Sequence, residues 1–327
     1  MTPRRHVSAP GPARAADVQQ TGRLRAHHGC MPLPPTRPQP GPSRAPGLPP
    51  RRGPAIGMGL GLVALAAATI AGLAAVFLRT WRGQALEARV MYGMATNPRT
   101  DGVLLSGLEL VSVSAIVVAL LVLGGLGLLR RRPDLAVAAA VLVAGANVTT
   151  QVLKYGVLER ADLGLSGYNT LPSGHVTVIT SLLVASLLVL SPAWRPTLVP
   201  VVGFLATCAG VGTIILNWHR PSDVVAAYAV VLGWTGLVTA GMAALGRVRG
   251  RVPGGPARAA GYALAAAVAA GVVGLLILAA GVAASNGRRE LLLSAGALAA
   301  VALVCAGVVG LSSYAVDLLG EGEPVDH

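Results

Sequence analysis

Charged side chains are scarce in this chain. Asp, Glu, Lys and Arg make up 12% of its 327 residues, whereas an ordinary soluble domain carries about 25%. Hydrophobic residues make up 54% of the chain, and its mean hydropathy is +0.66. This composition excludes an ordinary soluble domain and indicates a membrane protein with several spans.

Cysteine is nearly absent as well. The three cysteines are Cys30, Cys208 and Cys305, which fall in the N-terminal tail and in two separate apolar runs. They form no CxxC pattern and no disulfide framework. We interpret them as small apolar fillers.

Basic charge is plentiful, with a formal net charge of +13, but it is unevenly placed. Residues 1–54 contain nine arginines and a single acidic residue, Asp17. Most other basic residues lie in short loops between apolar runs, which is typical of topology signals and not of a nucleic-acid-binding face. Residues 1–54 are also rich in Pro, Gly and Ala without hydrophobic periodicity, so they are predicted to form a disordered cytoplasmic tail.

Eight apolar runs follow this tail, each near the roughly 20 residues needed to cross a bilayer. They predict spans at about 55–78, 103–129, 134–153, 175–191, 198–217, 223–245, 259–284 and 291–314. The predicted fold class is therefore all-α, a polytopic membrane helix bundle.

The loop arginines predict the orientation of these spans. Arg130–Arg132, Arg195 and the arginines of 247–258 all fall on the tail's side of the membrane if both termini are cytoplasmic. The loop at 79–102, with four arginines, is the exception. In this orientation the segments 154–175 and 218–223 are both extracytoplasmic, and the protein is predicted to be a multi-pass protein of the plasma membrane.

The residues capable of chemistry gather in those two segments. Lys154 is the one lysine of the chain, and His175 and His219 are the only histidines outside the tail and the last residue. Ser173 can cap the helix that follows Pro172-Ser173-Gly174-His175, and free N–H groups at such a helix start suit phosphate oxygens.

Lys154 and Arg160 add a point charge and a planar fork for the same anion. Asp223 is close enough in sequence to His219 to hydrogen-bond one ring nitrogen, which leaves the other as a nucleophile. His175 can protonate a leaving oxygen.

Together these motifs resemble the three-part signature of the type-2 phosphatidic acid phosphatase superfamily, the membrane lipid phosphatases related to vanadium haloperoxidases. The resemblance covers about 154–223 and implies a six-helix phosphatase core at 55–245, two additional spans at 246–314 and a short C-terminal tail at 315–327. It implies His219 as the nucleophile that forms a phosphohistidine, Asp223 as its orienting partner and His175 as the general acid. Lys154, Arg160, Ser173 and Gly174 are implied to bind the phosphate.

Two departures from the family pattern stand out. The first motif is one residue shorter than usual, and Ala161 replaces the proline after its arginine. The third motif has Gly212-Thr213 where the family has Ser-Arg, so one phosphate-binding cation is missing. Arg220 is the predicted substitute, and Thr213 retains a hydroxyl that can donate a hydrogen bond.

Several alternatives remain open at this stage. A zinc site built from the two histidines and Asp223 is disfavoured by the adjacent cations, so no metal and no cofactor are predicted. Glu109 is either a functional intramembrane charge or an interfacial one. The expected substrate is a lipid phosphate or diphosphate of the isoprenoid diphosphate, phosphatidic acid or phosphatidylglycerol phosphate class. A phosphotransferase with a hydroxyl acceptor and a non-enzymatic membrane protein with a decayed site are the competing functions.

Overall fold

The computed structural model describes residues 52–94, 113–165, 167–248 and 288–320, together with the isolated positions 102, 105, 106 and 261. Within these residues the chain forms eight α-helices and no β-strand. The predicted tail at 1–54 (apart from its last three residues), the span at 259–284 (apart from residue 261), Glu109 and most of the C-terminal tail lie outside the described residues.

Seven of these eight helices follow the apolar runs of the sequence. Their bounds are α1 Arg52–Leu73, α2 Trp81–Tyr92, α3 Val113–Leu129, α4 Pro133–Val152, α5 Gly174–Val189, α6 Arg195–Ile215, α7 Pro221–Ala244 and α8 Arg288–Asp317. Single π-helical turns extend α1 to Leu78 and α4 to Val157. Five of these helical segments are long and apolar enough to cross a membrane, and α3 and α5 are shorter apolar helices. The protein is therefore a multi-pass helical bundle, as predicted.

Helix α2 corrects the expected loop at 79–102. Thr80 caps this helix by accepting a hydrogen bond from the Gly83 N–H at 3.0 Å. The helix is short, and its buried face carries Gln84 and Glu87 beside Gly83 and Val90. Polar residues on the inward face mask the apolar periodicity that reveals an amphipathic helix. The hydropathy pattern of the sequence therefore does not predict this helix.

Hydrogen bonds between helix ends show which ends of the bundle coincide. The Ser173 N–H donates to the Asp223 carbonyl at 3.0 Å, which joins the starts of α5 and α7. The Ala161 N–H donates to the Leu78 carbonyl at 3.0 Å, which places the end of α1 beside the segment after α4. All three predicted motifs therefore lie at one end of the bundle.

The opposite end is closed by other contacts. The Arg130 guanidinium donates to the Val189 carbonyl and joins the ends of α3 and α5. Arg195 forms a buried ion pair with Asp317, which joins the start of α6 to the end of α8. Arg195 is thus a packing residue as well as a loop charge.

Helix α7 is the centre of the bundle and crosses α1 at two small residues. A Cβ added at Gly236 would overlap the Gly59 carbonyl of α1, and a Cβ at Gly59 would overlap the Gly236 carbonyl. Glycine at both positions lets the two backbones approach closely, as small residues do at helix crossings in membranes.

We predict that Gly236→Ala lowers the thermal stability of the detergent-solubilised protein, because the added methyl group forces α1 and α7 apart at a cost of about 1–3 kcal/mol. Gly241→Ala on the same helix is the matched control, since a Cβ there meets nothing within 4 Å. Differential scanning fluorimetry of both variants measures the effect. An equal melting temperature for the two variants would contradict the crossing described above.

Candidate functional site

The turn between α6 and α7 carries His219, and Asp223 follows in the first turn of α7. His219 Nδ1 lies 3.3 Å from Asp223 Oδ2. This contact occupies one ring nitrogen and leaves Nε2 available to a bound molecule. The turn itself is held by Thr213, whose carbonyl accepts the N–H groups of Trp218 at 3.0 Å and His219 at 3.1 Å.

Asp223 is only 1% exposed, and hydrogen-bond donors surround its carboxylate. Its Oδ2 accepts hydrogen bonds from Thr170 Oγ1 at 2.5 Å and from the Arg220 N–H at 2.9 Å, besides its contact with His219. Its backbone carbonyl binds Ser173, as described above. Asp223 therefore connects the helix start at 173 with the turn at 219. Thr170 had no sequence signal of its own, because its role depends on a partner more than fifty residues away.

The start of α5 has the predicted cap. Ser173 Oγ accepts the Val176 N–H at 3.4 Å, and Ser173 has no exposed surface. Gly174 and His175 are half-buried. The His175 ring centroid lies 5.4 Å from that of Trp218, so this histidine sits against the turn that carries His219.

Arg160 approaches the site from the segment after α4 and is paired with a carboxylate that sequence reasoning missed. Its Nη1 lies 3.4 Å from Glu87 Oε2 on α2, and both side chains are buried. The same nitrogen donates to the Phe77 carbonyl at 3.3 Å. Glu87 Oε1 in turn accepts hydrogen bonds from the N–H of Ser222, at 3.4 Å, and from its hydroxyl group.

Burial shifts the pKa of both groups in this pair. It raises the pKa of the Glu87 carboxyl, and the hydrogen bond from Ser222 acts in the opposite direction. Burial likewise lowers the pKa of the Arg160 guanidinium, and the nearby charge of Arg220 acts in the same sense. For both groups the loss of hydration outweighs their mutual attraction, as is common for buried pairs.

Arg220, the predicted substitute for the missing cation, is held in place by two acceptors. Its Nη1 donates to Thr170 Oγ1 at 3.0 Å and to the Tyr168 carbonyl at 3.3 Å. Gly167 has a φ of +126°, and a Cβ at this position would overlap the Arg220 guanidinium. Thr213, the family position of that cation, is fully buried and donates to the Gly210 carbonyl at 2.8 Å instead.

Three of the predicted site residues line one pocket of about 350 Å³. They are His219, Arg160 and Arg220, and α2 closes the pocket with Gln84, Ala88 and Met91. The lining also includes Leu165, Tyr168, Thr170, Asn217 and Trp218.

The other predicted residues lie around this pocket and not in its lining: Lys154, Ser173, Gly174, His175 and Asp223. Lys154 Nζ lies 5.6 Å from the centre of the Tyr155 ring, on the π-helical turn that ends α4. The motifs are thus neighbours in space, but only the first and third reach into the pocket.

A histidine held by a carboxylate beside two guanidinium groups suits a nucleophile next to a bound anion. In the described part of the chain, no three His, Cys, Asp or Glu side chains are grouped so that they could hold a metal ion.

A protein-family model described as the PAP2 superfamily matches residues 107–247. No curated protein and no solved structure matches the chain.

Proposed function

Residues 107–247 place this chain in the PAP2 superfamily, and on that premise we propose that it is an integral-membrane phosphatase that hydrolyses a lipid phosphate or diphosphate. The supporting observation is the pocket that brings His219 together with Arg160 and Arg220. The two guanidinium groups neutralise the phosphate, and the histidine attacks it.

The proposed reaction has two steps. His219 Nε2 attacks phosphorus, a nitrogen–phosphorus bond forms, and the bond from phosphorus to the leaving oxygen breaks. His175 gives that oxygen a proton from its place beside Trp218. A water molecule, deprotonated by His175, then attacks phosphorus, the nitrogen–phosphorus bond breaks, and inorganic phosphate leaves His219. Asp223 holds the His219 ring and stabilises the charge that it gains in the first step.

Phosphate binding in this proposal is shared among the motifs. Arg160 and Arg220 contact the oxygens inside the pocket, and Lys154 adds positive charge from outside its lining. Ser173 caps α5 and thereby orients the N–H of Gly174, which has no side chain to obstruct an anion.

A lipid substrate is supported by the aromatic residues at this end of the bundle. Exposed tyrosines and tryptophans at the ends of spans mark the headgroup level of a bilayer. At the site end Tyr155 lies in the last turn of a span, and Trp81, Tyr92, Tyr168 and Trp218 lie in the segments that join spans. Because Tyr168 and Trp218 also line the pocket, a phosphate bound there would sit at headgroup depth. Isoprenoid diphosphates, phosphatidic acid and phosphatidylglycerol phosphate are the substrates to assay first.

We expect His219→Gln to remove turnover, because glutamine cannot form the phosphorylated intermediate. The purified variant and the wild type are assayed for inorganic phosphate release from each lipid, with EDTA present throughout. Phosphate release by the variant near the wild-type rate would contradict the assignment. Loss of wild-type activity in EDTA, restored by Zn²⁺ or Mg²⁺, would favour a metal site.

The same assay separates the competing functions. Transfer of phosphate to an added alcohol in place of water would indicate a phosphotransferase. A folded wild-type protein inactive on every lipid would favour the non-enzymatic alternative.

We expect Arg220→Ala to lower kcat/KM about 100-fold, as loss of one transition-state donor commonly does. Arg220→Lys restores only part of this, because an ammonium group cannot make the paired contacts of a guanidinium. Arg89→Ala is the matched control, since Arg89 is an exposed arginine of α2 at the same end of the bundle. Equal activity of Arg220→Ala and Arg89→Ala would show that Arg220 does not replace the missing cation.

The site is proposed to face away from the cytoplasm, because the tail and the 130–132 and 247–258 loops hold most of the arginines outside the site end. We expect Asp162→Cys, at the site end, to react with an impermeant maleimide in intact cells in a background without native cysteines. Ala193→Cys, exposed at the opposite end, should react only after lysis. The reverse labelling pattern would invert the topology.

A further inference from the structure

Helix α2 lies outside the family-matched segment 107–247, yet two of its polar side chains hold the first motif. Gln84 and Glu87 lie one turn apart on its buried face, with exposures of 0% and 2%. Gln84 Nε2 donates to the Ala161 carbonyl at 2.9 Å and to the Leu78 carbonyl at 3.1 Å. This places the backbone next to Arg160 against the end of α1.

Glu87 acts on the side chain of Arg160 in the same way. One of its oxygens contacts Arg160 and the other accepts both hydrogen bonds from Ser222. Ser222 directly precedes Asp223, the partner of His219. A single carboxylate therefore joins the phosphate-binding arginine to the helix start that carries the nucleophile's partner.

Stability alone does not account for this arrangement. A buried ion pair is commonly no more stabilising than apolar residues of the same size, because both ions lose their hydration. Its contribution lies in orientation, because Ser222 holds one carboxylate oxygen of Glu87 with two donors while the other oxygen contacts Arg160 Nη1 at 3.4 Å. Arg160 lines the pocket, so that orientation determines where a phosphate can bind.

We propose that Glu87 is a positioning residue, which holds the Arg160 guanidinium at a set distance from His219 through its bonds to Arg160 and Ser222. The proposal rests on the phosphatase function proposed above. Helix α2 thereby becomes part of the phosphate site, although it contributes no residue to the three motifs.

The first test compares Glu87→Gln with Glu159→Gln. Glutamine keeps the size of the side chain but weakens its hold on Arg160, and we expect kcat/KM to fall about 10- to 100-fold, as misplaced binding groups commonly cause. Glu159 is exposed and adjacent to Arg160 in sequence, so its variant removes the same charge without the contacts and should stay within about twofold of wild type. Equal effects of the two variants would overturn the proposal.

The second test asks whether Glu87 acts through Arg160. Glu87→Gln is combined with Arg160→Lys, and kcat/KM is measured per mole of monodisperse protein. If Glu87 positions Arg160, then Glu87→Gln should lower kcat/KM by less than about twofold when residue 160 is already lysine. A purely structural role predicts that the full effect recurs in that background, which would overturn the proposal.

Glu87→Asp is a second, more conservative variant for the same test. It keeps the charge but shortens the reach, so its activity should lie between those of wild type and Glu87→Gln. If Glu87→Gln does not accumulate as folded protein, the same double-mutant cycle is measured with Glu87→Asp. An inactive wild type would refute the phosphatase function, whereas an active wild type with additive variants would refute only the role of Glu87.

Discussion

The site depends on one buried carboxylate. Asp223 Oδ2 accepts hydrogen bonds from Thr170 and Arg220 and contacts His219, while the backbone carbonyl of the same residue binds Ser173. A carboxylate removed from water is costly unless donors replace its hydration. The donors that replace water here come from two separate segments of the chain, the one before α5 and the turn before α7. The requirement to satisfy Asp223 therefore assembles the site, and the orientation of the histidine is one result of that assembly.

The membrane limits where such a cluster of polar groups can form. In the apolar middle of a bilayer each unpaired polar group is costly, so irregular backbone and charged side chains are tolerated at span ends or inside the protein. The described bundle follows this rule at both ends. The site turns occupy one end, and the buried Arg195–Asp317 pair joins α6 to α8 at the other. Helix α8 is also bound at the site end, where Ser294 Oγ donates to the Val90 carbonyl of α2 at 2.9 Å. Helix α8 thus holds α2, and α2 in turn lines the pocket and contacts Arg160.

Hydropathy was sufficient to predict the helical fold, because long uncharged runs have few alternatives in a membrane. The cluster of His219, Arg160 and Arg220 was also predictable, since the scarcity of polar residues left few candidates. Helix α2 was not, because its inward face is polar and its length is short. Glu87 and Thr170 were missed for a related reason: each acts through partners distant in sequence. Such pairings result from the packing of the helices, and the spacing of residues in the sequence does not indicate them.

The departures from the family motifs have physical counterparts in the structure. The Ala161 N–H, which a proline would lack, donates to the Leu78 carbonyl, and the Ala161 carbonyl accepts a hydrogen bond from Gln84. These hydrogen bonds restrict a backbone that a proline ring would restrict covalently. Thr213 is fully buried and supports the His219 turn through its carbonyl. Positive charge reaches the pocket from Arg220 instead, where Thr170 and Tyr168 hold the guanidinium. The attraction between an anion and a guanidinium depends on the distance between them, whichever residue position carries the guanidinium. The third motif can therefore lack its arginine while the pocket keeps two guanidinium groups.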